Sequence, residues 1–80
     1  MESFVNRVTV SPAICNGKPI IRNMRITVKT VLEYLGAGET IENILEAYPI
    51  LEKEDIYACL QYAAMTVERE ITSYKLANAA

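Results

Sequence analysis

Apolar residues change their spacing once along this chain, near residue 27. Beyond that point Val28, Val31, Leu32 and Leu35 stand at i, i+3, i+4 and i+7, the stripe of an amphipathic helix. Thr27 offers an N-cap hydroxyl, Ile26 is placed to staple onto Val31, and Gly36 and Gly38 supply a left-handed stop. Ile41, Ile44, Leu45 and Tyr48 repeat the spacing behind Thr40, a second N-cap, until Pro49 drives the preceding residue out of the α region. The third helix is the longest. Glu52 is expected at its N-cap, Leu51 as a staple for Ile56, and Asp55 in the first turn at the positive end of the dipole. Its inward stripe reads Ile56, Cys59, Leu60, Ala63, Val67, Ile71 and Tyr74.

Before residue 27 the pattern is that of short strands broken by turns. Val8-Thr9-Val10 is a β-favouring run halted by Ser11-Pro12, because proline has no N–H for a ladder. Asn16-Gly17 is a turn dipeptide, Pro19 to Arg22 resumes an extended run, and Asn23 offers another residue tolerant of positive φ. The pattern predicts one mainly α domain over residues 1–80. Residues 7–27 form a short N-terminal β-ribbon with turns, and residues 28–75 form three helices of tri-helical helix-turn-helix type. A two-stranded ribbon is barely stable by itself, so this one must pack on the helices or on a second subunit.

Composition narrows the function. The chain has 80 residues, 51% hydrophobic, with two cysteines and no histidine. So small a body buries only about 60% of its unfolded surface, and the surplus of apolar residues points to self-association. Without histidine, most zinc sites and every His-based triad are excluded from a single chain, and no cofactor is implied. No apolar run approaches the roughly 20 residues of a membrane span, and MESFVNR lacks a basic signal-peptide start, so a cytoplasmic protein without membrane contact is expected. An enzyme reading finds little support. Glu42 and Glu46 form an i, i+4 pair on a solvent face, and Cys15 has no histidine to activate it. Cys15 to Pro19 lacks the upstream glycine and trailing hydroxyl of a phosphate loop.

A net charge of −2 conceals a division. Residues 1–32 carry five basic side chains against Glu2 alone, a net +4, whereas residues 33–80 carry three against nine acidic ones, a net −6. The candidate contacts to nucleic acid or to an acidic partner are therefore Arg7, Lys18, Arg22 and Arg25. Equally, Arg22 and Arg25 could bind carboxylates of the acidic helices, within one chain or across a dimer. The third helix opens Glu52-Lys53-Glu54-Asp55, which repels phosphate and disqualifies that end as a conventional reading head. Ala58, Tyr62 and Met65 are candidates for a dimer or partner surface.

Val8-Thr9-Val10-x-Pro12-x-Ile14-Cys15-x-Gly17-Lys18-Pro19-x-Ile21-Arg22, followed by Arg25-Ile26-x-Val28, resembles the family called domain of unknown function 433. Thr40-x-Glu42-x-Ile44-Leu45-x-x-Tyr48-Pro49-x-Leu51 and Asp55-Ile56-x-Ala58-x-Leu60-x-Tyr62-Ala63 extend the similarity to about residues 7–65. Asn23-Met24 replaces the family's usual Gly-Thr, and Glu52 replaces its usual Thr or Ser cap. The resemblance implies a small, prokaryotic, often dimeric protein with a homeodomain-like core and no catalytic residues. Many members are described as VapB-type antitoxins encoded beside a PIN-like ribonuclease toxin. The expectation is a non-enzymatic, dimeric, antitoxin-like binding module that neutralises such a toxin protein. The alternatives are a transcription regulator gripping DNA with its basic ribbon, and a structural dimerisation adaptor.

Overall fold

Two threonines set where the first helices begin. The Thr27 hydroxyl accepts from the Thr30 N–H at 3.1 Å, and the Thr40 hydroxyl accepts from the Asn43 N–H at 3.1 Å. Each satisfies an amide that the helix itself leaves without a carbonyl. They open α1 (Val28–Gly36) and α2 (Ile41–Ala47), and α3 follows (Lys53–Asn78). A computed structural model describes the backbone of residues 2–78 and the side chains of residues 2–69. Ahead of the helices lie a single 3₁₀ turn at Val5–Arg7 and two short strands, β1 (Val8–Thr9) and β2 (Ile20–Ile21). The described chain is thus mainly α, with three helices behind an antiparallel ribbon, as the sequence predicts.

In the ribbon Val8 faces Ile21 and Thr9 faces Ile20. The connection between the strands reverses through Cys15, Asn16 and Gly17, at φ of 50°, 57° and 76°. A second turn follows at once. Arg22 and Asn23 hold φ of 44° and 59°, and the Met24 N–H closes on the Ile21 carbonyl at 2.8 Å. Two successive left-handed residues are the mark of a type I′ turn. The chain doubles back, so Ile21 N–H reaches the Ile26 carbonyl and Ile20 bridges Thr27. β2 therefore lies between two extended segments, which leaves Ile20 and Ile21 fully buried.

The core is shared by every helix: Ile21 of β2 meets Val28 and Val31 of α1, Ile44 of α2, and Ile56 and Cys59 of α3. Tyr34 and Tyr48 brace α1 against the end of α2, with ring centroids 5.9 Å apart and edge-on.

Three expectations change. Gly36 is the last residue of α1, and Gly38 alone takes the left-handed stop at φ 93°. The Gly38 N–H donates to the Leu35 carbonyl and the Glu39 N–H to that of Tyr34, a Schellman closure. Val10 lies outside β1 and is exposed. On α3 the inward face centres on Asp55, Cys59 and Tyr62, so Leu60 and Val67 are 44% and 52% exposed. The 26 residues of α3 span about 39 Å, whereas α1 and α2 have only nine and seven residues to pack beside it. The side chains of Ile71 and Tyr74 lie outside the described residues.

The two glycines of the α1 stop make opposite predictions. Gly38→Ala forces a Cβ into a left-handed residue and should lower stability by about 1 kcal/mol. Gly36→Ala meets open space in a helical position and should raise it by about 0.5 kcal/mol. Thermal unfolding followed by circular dichroism distinguishes them.

Candidate functional site

The polar centre of the molecule is a carboxylate on the first turn of α3. Asp55 is fully buried, and four donors converge on its two oxygens. Arg22 binds in a fork, Nε to Oδ1 at 3.0 Å and Nη2 to Oδ2 at 2.8 Å. Arg7 Nη1 reaches Oδ1 at 3.0 Å and Glu52 Oε1 at 2.7 Å. The Glu52 N–H donates to Oδ2 at 2.8 Å, so Asp55 closes the start of α3 from within, as the N3 side chain of a capping box does. Burial alone pushes the Asp55 carboxyl up; hydrogen bonds from Arg22, the Glu52 N–H and Arg7 outweigh it and hold the group below its ordinary value.

Local backbone delivers both arginines. Arg22 sits in the left-handed turn after β2, a conformation unfavourable for a bulky residue and held here by its bidentate grip on Asp55. Its Nη2 also reaches the Ile50 carbonyl at 3.1 Å, and its N–H donates to the Arg7 carbonyl at 2.8 Å. Among the described residues no buried side-chain polar atom lacks a partner.

Of the four basic candidates, the structure commits two to carboxylates, with side chains still 28% (Arg7) and 38% (Arg22) exposed. Arg7 and Arg22 are ion-paired, whereas Lys18 and Arg25 are exposed, and neither has a carboxylate within ion-pair distance among the described residues. Lys29 is a third exposed cation that the sequence reading left out of the candidate set. Ala58 is corrected outright: it is fully buried within its own chain, on the face shared with Asp55 and Cys59, and offers no surface to a partner. Tyr62 is half-buried and Met65 is 42% exposed.

Tyr62 belongs instead to a groove of about 550 Å³ between α1 and α3. Val28, Leu32 and Val67 give it apolar lining, and Lys18, Lys29 and Glu33 line it as well, the last two one turn apart on α1. On another face of α3 the Gln61 amide holds the N-terminal segment at two points. Its Oε1 accepts from the Phe4 N–H at 2.7 Å, and its Nε2 donates to the Glu2 carbonyl at 2.9 Å. The Phe4 ring lies 5.8 Å from that of Tyr57. Cys59 is buried, and desolvation pushes its thiol up to about 12. Among the described residues no group of three or more acidic or cysteine side chains is arranged to hold a metal, and no helix is long and apolar enough to cross a membrane.

Comparison with known proteins places these features in a lineage. A family model described as "Protein of unknown function (DUF433)" matches residues 8–63, a span that includes Arg22, Glu52 and Asp55. The chain is 41% identical over 56 residues, 70% of its length, to the uncharacterized protein y4eO of Sinorhizobium fredii (strain NBRC 101917 / NGR234). It spans about a quarter of that relative, 25% of its length. A crystal structure of a DUF433 member from Anabaena variabilis ATCC 29413 superposes with a TM-score of 0.72 at 34% identity, covering 84% of this chain and 69% of that one.

Removing the buried carboxylate tests its weight. Asp55→Ala should cost about 3 kcal/mol, the low end for a broken buried pair because both arginines can turn toward water. Since the folded pKa is depressed, the Asp55 contribution is present above the unfolded value of about 3.9 and is lost as pH falls through the folded one. Urea unfolding of the wild type should therefore lose midpoint steeply below about pH 4. Asp55→Asn should start lower at neutral pH and lack that part of the acid slope.

Proposed function

This chain belongs to the DUF433 family, and we propose that it is a non-enzymatic, dimeric binding module that acts as an antitoxin, seating on a PIN-like ribonuclease. The reading is carried by the redistribution of charge in the fold. Arg7 and Arg22 are committed to Asp55 and Glu52, which halves the set of cations that a phosphate-binding ribbon would use. The same pairs engage Glu52 and Asp55, whereas the acidic side chains of α2 are in none of them. Glu39, Glu42 and Glu46 are exposed on α2 and its approach, with Ile50 exposed just beyond. A ribonuclease that holds RNA presents a basic cleft. An acidic helix with an apolar residue beside it complements such a cleft in charge and offers a point of desolvated contact.

The regulator alternative keeps one observation in its favour, the exposed and unneutralised Lys18, Arg25 and Lys29. Three cations per chain, six in a dimer, would support salt-sensitive, largely sequence-independent attachment to duplex DNA.

Co-expression with the product of the adjacent gene should yield a complex that survives purification and suppresses the partner's ribonuclease activity. Charge reversal by E42K with E46K should weaken that complex at least about tenfold, more at low salt than at high salt. Failure of the wild-type pair to co-purify overturns the antitoxin reading. Fluorescence anisotropy with duplex DNA at low salt decides the alternative: binding that disappears in K18A with R25A moves the function to regulation, and no binding removes it.

A further inference from the structure

We propose that the groove between α1 and α3 binds a small apolar carboxylate, an organic acid whose hydrocarbon body lies in the groove and whose single charge is held by Lys18 and Lys29. The site is independent of which macromolecule the chain serves.

Its size and walls fit such a molecule. The volume of about 550 Å³ falls within the roughly 300–1,000 Å³ of small-molecule sites, which are mostly apolar with a few polar groups. Three separate segments supply the walls: Pro19 ahead of β2, Val28 and Leu32 of α1, and Tyr62 and Val67 of α3. Val67 is 52% exposed inside this concavity, a wetted apolar surface from which a hydrocarbon body would displace water. The walls are also set in advance. Val28 is buried and its N–H donates to the Pro19 carbonyl at 3.0 Å, and the Lys18 N–H donates to the Cys15 carbonyl at 3.1 Å. A preformed site loses little free energy to ordering when it is filled.

The charges select the class of ligand. Ile20 bridges Thr27 and Pro19 meets Val28, so the next residue on each side is a lysine, and both lysines line the groove. Neither has a carboxylate within ion-pair distance among the described residues. Two like charges drawn to one apolar concavity repel until an anion joins them, and an ion pair at such an edge is stronger than in open water. With Glu33, the described lining carries a net +1, which one carboxylate neutralises. A doubly charged phosphate ester fits less well. It would meet Glu33 without a cradle of amides, because the Val28 and Thr30 N–H groups already donate to the Pro19 carbonyl and the Thr27 hydroxyl.

Titration of the ¹⁵N-labelled full chain with decanoate, followed in amide correlation spectra, tests the proposal. Saturable shifts should be confined to residues 18–19, 27–33 and 62–67, with a dissociation constant of about 0.1–1 mM. Hexanoate should bind at least about tenfold more weakly, and decylammonium, with the same body and the opposite charge, should not bind there. Lys18→Ala with Lys29→Ala should weaken decanoate about tenfold, and Val67→Trp, which fills the groove from an exposed position, should weaken it as much with both lysines in place. Circular dichroism should show both variants as helical as the wild type. The absence of saturable shifts at about 5 mM decanoate overturns the site, as do shifts scattered beyond those segments. Decylammonium binding as tightly overturns the carboxylate, and undiminished binding in either variant overturns the groove or its lysines as the seat. Shifts of the same amides that follow protein concentration and not decanoate reveal a second copy in the groove, and overturn the proposal equally.

Discussion

The fold depends on one carboxylate having all of its acceptor positions filled. A buried charge is costly, and an ion pair repays desolvation only when the remaining lone pairs also find donors. Asp55 meets that condition with four hydrogen bonds: two from Arg22, one from Arg7 and one from the amide of Glu52. Each donor comes from a different part of the chain. Arg7 ends the N-terminal turn, Arg22 follows β2, and Glu52 begins α3. Two strands of two residues each have too few ladder bonds to persist by themselves. Their position comes from Ile20 and Ile21 below, and from the two arginines that lash the ribbon to the helix beneath it.

How much of this could be read from the sequence depended on how local the signals were. Thr27 and Thr40 each satisfy an amide three residues away, and α1 and α2 begin where those hydroxyls predict. Asn16, Gly17 and Asn23 turn where residues tolerant of positive φ should turn. α3 was misphased because its inward face centres on an acid. Reading only apolar residues moved the stripe toward Leu60 and Val67 and put Ala58 on the outside, when Asp55, Ala58 and Cys59 are the buried set. Arg22 at positive φ was invisible for the same reason, since nothing in a residue's type shows that a carboxylate 33 positions later will hold it there. The groove was equally hidden, because it depends on how far α3 outruns its neighbours.

The candidate contacts divide along the same line. Lys18 and Arg25 are exposed and in no ion pair among the described residues, whereas Arg7 and Arg22 are tied to the buried Asp55. The excess of positive charge in the first third is therefore partly a structural reserve for the acidic start of α3. The network engages charges of both signs equally, two arginines against two carboxylates, so the remaining side chains keep the balance of −2, and α2 with its approach presents Glu39, Glu42 and Glu46 to solvent.

The separation of Arg7, Arg22 and Asp55 along the chain also sets an order of events during synthesis. Arg22 must wait for 33 further residues, and Arg7 for 48, before its carboxylate exists. α1 and α2, nine and seven residues long, are too short to persist by themselves, and their core residues pack against Ile56 and Cys59 of α3, so they await the same helix as the ribbon does. A nascent chain stopped short of residue 55 would carry a loose, cationic leading segment with no buried carboxylate to hold it. Only when the first turn of α3 emerges does that segment acquire a counter-charge and a fixed shape. The last helix to be made is thus the one that completes the first part of the protein.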